Sequence, residues 1–257
     1  MIYIILPTFN EEKGVKDTLN SIFNFFEKNL GEKEVCVLII DDGSTDGTKN
    51  VLIDFANKGV TNYSNKRIKL KIISHEKNKG LGMAIKTGME YSFSKGLDDD
   101  IVITMDADNT QPIDLVEKMY LSINQGKDVI IGSRYKKESS QTGVPFVRKL
   151  ISFLGGLLFK ITFPIKNVRD YTSGFRAFKL LTIRNAYNKH QNFFSEQGFT
   201  STVDILLKLK KINKNVQMDE VSMSLRYDLK KDSSKMAVLK TIFNTLRLLM
   251  IRRIGIL

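Results

Sequence analysis

The chain of 257 residues is 42% hydrophobic and 26% charged, a composition that permits a buried core and excludes an intrinsically disordered chain. Its net charge of +12 is concentrated in the second half: residues 1–129 hold 16 Lys and Arg against 20 Asp and Glu, whereas residues 130–257 hold 24 against 8. Such a field suits an anionic lipid or a phosphorylated substrate, and without an aromatic-interleaved RNA motif, zinc finger or basic recognition helix we expect no nucleic acid partner.

Short apolar segments alternate with helical patterns through the first half. Strands are predicted at residues 1–6, 35–40, 68–74, 100–105 and 128–132, because each is rich in Ile, Val or Leu, as buried parallel strands are. Apolar residues recur at helical spacing in three segments between them: Val15, Leu19, Ile22, Phe23 and Phe26; Val51, Leu52 and Phe55; and Leu115, Val116, Met119, Tyr120 and Ile123, with Pro112 as the first helical residue. This order predicts an α/β fold with a mostly parallel sheet flanked by helices, and ligands beyond the carboxyl ends of the strands.

The second half is less regular. Helices are predicted at residues 148–161, 200–212 and 235–253, and a strand at 215–227. Since the sequence has no internal repeat and no low-complexity linker, we expect one catalytic domain, residues 1–232, followed by a C-terminal amphipathic helical extension, residues 233–257. The first of these helices is more typical of a core helix, although Arg148 and Lys149 at its start permit docking at a membrane interface.

No membrane span or leader is expected. The apolar stretch 150–165 is interrupted by Lys160 and falls short of the ~20 residues that a span needs. Residues 1–6 have no basic leader. The lone Cys36 lies in a predicted core strand and cannot form an internal disulfide, which suits a cytoplasmic protein.

Polar loops follow the first three predicted strands. Residues 7–11 read Pro-Thr-Phe-Asn-Glu, and residues 41–48 read Asp-Asp-Gly-Ser-Thr-Asp-Gly-Thr. The second loop lacks the spacing of a P-loop, and an acidic turn with Asp46 or Thr48 as a helix cap is an equal alternative. Residues 78–82, with Gly80 and Gly82, match a dinucleotide fingerprint only weakly and indicate a tight turn.

The loop after the fourth strand carries paired carboxylates. Asp106 and Asp108, two positions apart on an extended segment, point to the same side and repel each other unless a cation lies near them. A hard divalent cation with substrate phosphates suits such a pair. The alternative is a helix cap at Asp108 or Asn109, but the position after a buried strand favours the metal site. Arg134, after the fifth strand, adds a guanidinium that can bind a phosphate at the same edge.

Together these loops resemble the family 2 glycosyltransferases with the GT-A fold, a Rossmann-like fold for nucleotide-diphosphate sugars. The resemblance rests on the loops at 7–11 and 41–48, the Asp-Ala-Asp motif at 106–108 and Gly-Ser-Arg-Tyr at 132–135. Residues 169–178, and Arg148 followed four residues later by Ser152, are similar to the dolichyl-phosphate mannose synthase branch of that family. The resemblance runs to about residue 240.

The resemblance implies roles for individual residues. The residues implied to contact the donor nucleotide are Pro7, Phe9 (where the branch usually has Tyr), Glu11, Ile40 and Asp42. Asp106, Ala107 and Asp108 bind the donor with Mg²⁺ or Mn²⁺. Thr110 stands where the branch often has Gln or Ser, and Gln111 is taken as the further metal ligand. Acceptor-phosphate contacts fall to Arg134, Arg148 and Ser152. Arg226 and Lys235 match a late basic pair that closes over the donor, a role that Lys230 or Lys231 could take instead.

The implied reaction is an inverting single displacement. A sugar moves from a nucleotide-diphosphate donor, GDP-mannose or a UDP-hexose, to a polyprenyl or dolichyl phosphate, with the enzyme peripheral on the cytoplasmic membrane face. In the helix predicted at 235–253, a stripe of Leu239, Ile242, Leu246, Leu249 and Met250 with basic flanks is typical of an interfacial helix; packing on the core is the alternative.

Two other functions stay open. A related enzyme could glycosylate a hydroxyl of a lipid-linked glycan, using Glu196 or Asp204 as general base, although Glu196 also fits a helix start. A non-catalytic nucleotide-sugar-binding module is the third possibility.

Overall fold

A computed structural model describes residues 1–29, 33–59, 67–190, 192–232 and 238–254. Its strands are β1 (Ile2–Thr8), β2 (Val35–Asp41), β3 (Ile68–Ser74), β4 (Ile101–Thr104), β5 (Val129–Ser133), β6 (Ser140–Thr142), β7 (Arg176–Lys179), β8 (Met218–Ser222) and β9 (Ser224–Arg226). Seven of them form one sheet in the order β3-β2-β1-β4-β7-β5-β8, and β6 pairs with β9 in a small second sheet. The mostly parallel α/β fold predicted from the sequence is confirmed.

Helices cover both faces of the large sheet. They are α1 (Val15–Asn29), α2 (Thr48–Asp54), α3 (Leu81–Lys95), α4 (Leu115–Asn124), α5 (Phe146–Thr162), α6 (Leu180–Lys189), α7 (Thr200–Ile212) and α8 (Val238–Arg253). A π-helical turn, Phe55–Gly59, follows α2. α1, α2 and α4 pack on one face, and α3, α6 and α7 pack on the other.

The side chains of β1 show why both faces are covered. Ile2, Ile4 and Leu6 enter the core under α1, whereas Tyr3 and Ile5 enter the core under α3. Successive side chains of a strand point to opposite faces, so a continuous apolar run buries both. β2 repeats this arrangement, with every residue buried.

One central strand runs against its neighbours. β7 pairs antiparallel with both β4 and β5, so that Ala177 lies between Ile103 and Ile130. β5 therefore runs in the same direction as β4, and the loops after β1, β2, β4 and β5 meet at one edge of the sheet. That edge holds the candidate site.

Several boundaries differ from the sequence expectations. The helix predicted to begin at Pro112 begins at Leu115, because residues 112–114 form a turn in which the Leu115 N–H donates to the Pro112 carbonyl at 3.3 Å. The strand predicted at 215–227 is two strands in different sheets, separated by Met223. β7 was not predicted, since it is short and begins with a charged residue, Arg176.

Arg176 is buried, and its charged guanidinium is hydrogen-bonded to backbone carbonyl oxygens inside the protein. Its guanidinium donates to the carbonyl oxygens of Thr202 and, at 2.7 Å, of Tyr171. Burial lowers its pKa to about 9. The residue ties the central strand to the start of α7.

α8 packs against the body of the protein. Leu248 is completely buried, Arg247 pairs with Glu196, and Arg252 pairs with Asp204, each at 2.5 Å. Within the described ranges, no helix combines the length and the apolar character that crossing a bilayer requires. The predicted boundary at residue 232 adjoins 233–237, outside the described residues, and stays a prediction.

Candidate active site

The paired carboxylates lie beyond the end of β4 and are held by their own loop. Thr110 donates to Asp108 Oδ1 through its hydroxyl at 2.7 Å and its N–H at 3.2 Å. The Gln111 amide donates to Asp106 Oδ2 at 2.6 Å, while its oxygen accepts the Asp106 N–H at 3.0 Å. Gln111, predicted as a metal ligand, thus orients Asp106, and Thr110 orients Asp108.

Asp106 holds its proton more tightly than an ordinary aspartate. Asp106 as a whole is exposed to solvent, but the surrounding protein removes much of the water around its carboxyl group. This desolvation, and then the negative charges of Asp108 and Glu11, raise its pKa to about 7, although Lys230 and Arg134 oppose the shift. A cation bound beside Asp106 would offset the repulsion from Asp108 and Glu11 and favour the charged carboxylate.

The donor atoms of the site suit a hard divalent ion. In the described part of the chain, no three His, Cys, Asp or Glu side chains come together as a metal site. Asp106 and Asp108 would supply only part of a coordination sphere, and phosphate oxygens of a substrate would supply more. Oxygen-only ligands of this kind fit Mg²⁺ or Mn²⁺.

Lys230 reaches this cluster from a segment that follows β9. Its ammonium forms an ion pair and hydrogen bond with Asp108 Oδ2 and lies 4.0 Å from Glu11 Oε1. Burial alone would lower the pKa of Lys230, but Asp108, followed by Glu11 and Asp106, outweighs burial and raises it. Of the late basic residues singled out in the sequence, Lys230 therefore contacts the carboxylates. Arg226 is exposed and pairs with Asp228 at 2.7 Å, and Lys235 lies outside the described residues.

The predicted nucleotide side is built from the loops after β1 and β2. The Glu11 N–H donates to the Thr48 hydroxyl at 2.8 Å, which joins the two loops. Asp46 accepts the Thr48 N–H at 3.0 Å, a local bond within the turn, but the predicted cap at Asp46 or Thr48 is wrong, because the N-cap of α2 is Gly47. Pro7 and Phe9 are half-buried at the end of β1, whereas Ile40 is fully buried in the core.

Asp42 is bonded to the loop after β3. Its carboxylate accepts the N–H groups of Lys79 at 2.9 Å and Gly80 at 2.8 Å, and lies 2.6 Å from His75 Nδ1. The other ring nitrogen of His75 lies 2.9 Å from the Thr87 hydroxyl. The sequence did not indicate this buried arrangement, because its members are 12 to 38 positions apart.

The predicted acceptor side centres on Arg134, which forms an ion pair with Asp170. The guanidinium donates to both carboxylate oxygens of Asp170 at 2.8 Å and to the Thr172 hydroxyl at 2.6 Å. Burial would raise the pKa of the completely buried Asp170, but Arg134 outweighs burial and holds it below the usual value. Glu220 accepts the N–H groups of Arg169 and Asp170, each at 2.6 Å, and fixes this loop from behind.

Ser152 and Arg148 approach the same region from α5. The Ser152 hydroxyl lies 3.2 Å from that of Thr172 and accepts from Tyr135 at 3.3 Å. Arg148, one turn earlier on the helix, donates to the Tyr227 hydroxyl at 2.8 Å. The structure thus joins Arg134 and Ser152 through Thr172, while Arg148 contacts the segment after β9. Asp170, Thr172 and Glu220 were not predicted; residues 169–178 had attracted notice only through the resemblance.

Glu196, the alternative base, lies in the loop before α7, packs against the start of α3 and is hydrogen-bonded. Its Oε2 accepts from Arg247 at 2.5 Å and from Thr200 at 3.2 Å. A Cβ at position 82 would lie 1.8 Å from the Glu196 carbonyl oxygen, so Gly82 permits this close approach. Asp204, the other base candidate, is buried and pairs with Lys208 and Arg252.

α5 and α8 expose a broad apolar surface, which we call the α5–α8 surface. The expectation that α5 is a core helix is wrong, because among its residues only Gly156 and Phe159 are buried. The stripe predicted on α8 is divided: Leu249 packs on the core and the basic flank Arg247 pairs inward, whereas Ile242, Leu246 and Met250 are exposed. The exposed apolar residues are Phe146, Val147, Leu150, Phe153, Leu154, Leu157, Leu158, Ile161, Ile242, Phe243, Leu246, Met250 and Ile254.

Comparisons with known proteins identify the family and the relatives of the chain. The model of the family "Glycosyl transferase family 2" matches residues 3–190. The UDP-N-acetylglucosamine–dolichyl-phosphate N-acetylglucosaminyltransferase of Methanococcus voltae is 33% identical over 185 residues, which cover 69% of each chain. The dolichol-phosphate mannosyltransferase of Pyrococcus furiosus is 28% identical over 210 residues, which cover 81% of this chain and 53% of the relative. This chain thus spans about half the length of the Pyrococcus relative.

Solved structures share the fold. The glucosyl-3-phosphoglycerate synthase of Mycobacterium tuberculosis, crystallised with Mn²⁺, uridine diphosphate and phosphoglyceric acid, superposes with a TM-score of 0.64 at 17% identity. The match covers 100% of this chain and 79% of that chain. At this identity the likeness concerns the fold alone, and it confirms the expected GT-A architecture.

Proposed function

This chain belongs to glycosyl transferase family 2, and from that premise we propose that it moves a sugar from a nucleotide-diphosphate donor to a polyprenyl or dolichyl phosphate. The lipid-phosphate acceptor is supported by the names of the Methanococcus and Pyrococcus relatives. The observation that carries the acceptor proposal is the engagement of Glu196 by Arg247, because a hydroxyl acceptor needs a positioned base.

The acceptor's own chemistry explains why no base is required. A phosphate monoester has a second pKa of about 6, so it is already an anionic nucleophile near neutral pH. It needs positioning by cations and hydroxyl donors, which Arg134, Arg148 and Ser152 supply in this proposal. Asp170 and Glu220 keep Arg134 in place. Attack on the anomeric carbon, from the face opposite the diphosphate, inverts its configuration.

The donor lies in this proposal between the loops after β1, β2 and β4. Pro7, Phe9, Glu11 and Asp42 contact the nucleotide, and Asp106 and Asp108 hold Mg²⁺ or Mn²⁺ against the diphosphate. Such an ion, when bound, neutralises the departing diphosphate as a Lewis acid. Ala107 is buried, and its carbonyl accepts from Thr18 at 2.9 Å, which holds the two carboxylates at the cleft.

The α5–α8 surface places the enzyme on a membrane in this proposal. Exposed apolar patches of this extent mark interaction sites, and a polyprenyl phosphate presents its head group at the bilayer interface. Arg148 and Ser152 lie on α5 itself, so docking of that helix would bring them to the level of the lipid phosphate. We place the protein peripherally on the cytoplasmic face.

A donor panel tests the proposal. GDP-mannose, UDP-glucose and UDP-N-acetylglucosamine are each incubated with polyprenyl phosphate and Mn²⁺, and the products are identified by mass. One donor should yield a polyprenyl-phosphate sugar, with no product from the matching polyprenol or in the presence of a chelator. Transfer to a glycan hydroxyl but not to polyprenyl phosphate would favour the alternative acceptor, and donor binding without transfer would favour the non-catalytic module.

A further inference from the structure

The ammonium of Lys230 contacts the carboxylate oxygen that a metal ion would bind. Thr110 occupies Oδ1 of Asp108 with two hydrogen bonds, so Oδ2 is the oxygen left for a cation. Lys230 contacts that oxygen and is also 4.0 Å from Glu11. Its side chain is only 11% exposed, so the contact is part of the packed site.

The segment that carries Lys230 is fastened on several sides. We call residues 226–232 the strap. The Arg226 N–H donates to the Thr110 carbonyl at 2.9 Å, next to the carboxylates. At the far end, Lys231 pairs with Asp17 at 2.5 Å, and Asp232 accepts the Lys13 N–H at 3.2 Å. Because both ends are held, the Lys230 side chain is directed at Asp108.

A tethered ammonium and a divalent ion cannot share one carboxylate oxygen without strong repulsion. The ammonium leaves Asp108 most readily when another anion replaces that carboxylate as its partner, because Glu11, at 4.0 Å, is a more distant one. The donor's diphosphate, proposed to lie against Asp106 and Asp108, is such an anion and arrives with the ion.

We infer that Lys230 competes with the divalent ion for Asp108 Oδ2 and moves to the donor's diphosphate when that group binds. This inference rests on the proposed function, since it requires a nucleotide-diphosphate donor. Metal alone then binds weakly, and metal and donor bind cooperatively. The device keeps the carboxylates neutralised between turnovers and disfavours a metal-loaded site without a donor.

Metal titration tests the inference without any transfer reaction. Mn²⁺ is titrated into the wild type, K230Q, K230R and K69Q, alone and with saturating UDP or GDP, by calorimetry and by the electron paramagnetic resonance of free Mn²⁺. K230Q should bind Mn²⁺ alone on the order of tenfold more tightly than the wild type, and the gain in Mn²⁺ affinity caused by the nucleotide should shrink by a similar factor.

The two other variants are matched controls for metal binding. K230R keeps the charge and should bind Mn²⁺ alone as weakly as the wild type. K69Q removes an exposed lysine of β3 that pairs with Glu34 at 3.6 Å and lies outside the strap, and its metal affinity should not change. Circular dichroism and thermal unfolding check that each variant is folded.

The inference is overturned if folded K230Q binds Mn²⁺ alone within twofold of the wild type, or if K230R gains as much affinity as K230Q. Failure of the proposed function has a different signature. In that case nucleotide and metal bind with the expected coupling, yet no donor in the panel yields a lipid-phosphate sugar.

Discussion

Arg247 of α8 donates a 2.5 Å hydrogen bond to Oε2 of Glu196, a residue 51 positions earlier in the chain. A general base needs a free lone pair within reach of the acceptor's proton, and this oxygen is bonded to both a guanidinium and the Thr200 hydroxyl. The pair therefore supports the phosphate acceptor of the proposal over a hydroxyl acceptor. In the proposal, Glu196 holds the last helix in place and the cations near α5 position the acceptor.

The acceptor prediction follows from that assignment. Arg148→Ala should lower acceptor-dependent kcat/KM about 10- to 150-fold, because a charge-assisted hydrogen bond contributes roughly 1.5–3 kcal/mol. Glu196→Gln should retain most activity. Tyr227→Phe serves as the control. It removes the hydroxyl bonded to Arg148 but leaves the charge of Arg148 in place, so kcat/KM should change little. An inactive Glu196→Gln together with a normal Arg148→Ala would mean that the acceptor is a hydroxyl.

The metal prediction concerns Asp108. Asp108→Asn keeps an acceptor for Thr110 but removes the charge at Oδ2, so we expect a folded protein whose metal-dependent transfer falls at least about 100-fold. Initial rates over a range of Mn²⁺ and Mg²⁺ concentrations measure the loss, and thermal unfolding checks the fold. Unchanged turnover with the wild-type metal requirement would remove Asp108 from the metal site.

The membrane prediction concerns the α5–α8 surface. Leu154→Glu combined with Ile161→Glu should weaken binding to vesicles containing phosphatidylglycerol by about tenfold or more, since burying each such side chain is worth roughly 1.5–3 kcal/mol. Leu121→Glu combined with Leu97→Glu, at exposed positions outside this surface, is the matched control. Cosedimentation measures binding, and equal binding by both double variants would show that this surface does not dock.

A truncation before α8 would be a poor test of membrane docking. It would remove Leu248 from the core, and it would leave Glu196 and Asp204 without Arg247 and Arg252. Point variants on the outer face avoid this damage.

A pH-dependent prediction follows from Asp170. Arg134 holds its folded pKa below the usual value, so the charged carboxylate stabilises the fold above its unfolded pKa of about 4 and loses this contribution as the pH falls toward the folded pKa. Asp170→Asn should lower the free energy of unfolding by about 3–5 kcal/mol at pH 7. In urea titrations, that difference should shrink as the pH falls from 5 to about 3.

Asp54→Asn provides the control for this prediction. Asp54 forms an exposed i,i+4 pair with Lys58 at 3.5 Å. Its substitution should change the free energy of unfolding by less than about 1 kcal/mol at either pH. A constant difference for Asp170→Asn across this pH range would contradict the shift in its pKa.

The strands of the first half could be predicted because their residues are apolar on both faces. Asp106 and Asp108 were found by their position after such a strand. β7 was missed because Arg176 breaks the apolar pattern, and its burial depends on carbonyl oxygens that only the fold brings to it. Asp170 and Glu220 reach Arg134 and the 169–170 backbone across 36 to 51 positions, a separation at which sequence spacing gives no signal.

The two helices of the α5–α8 surface show a different limit. Their apolar composition was visible in the sequence, but composition does not tell which side of a helix is covered. In α5, few apolar side chains meet the core. In α8, Leu248 is buried, but Arg247 and Arg252 also turn toward buried carboxylates, while Ile242, Leu246 and Met250 face outward.

The position of β7 has a consequence for how the molecule folds. β4 and β5 are consecutive strands in the chain, but in the sheet β7 lies between them. Each can pair on its facing edge only after β7, which begins more than 40 residues after β5 ends, has inserted. We expect contacts between such distant segments to form late, because closing a long loop costs entropy before the contact forms, and the loop that carries Asp170 leads directly into β7. Pulse-labelling hydrogen exchange should therefore protect the amides of β1 and β2 before those of β5 and β8. On this expectation the Arg134–Asp170 pair forms after the pairing of β1 with β2, so a chain that stalls earlier would have these two strands ordered and Arg134 without Asp170.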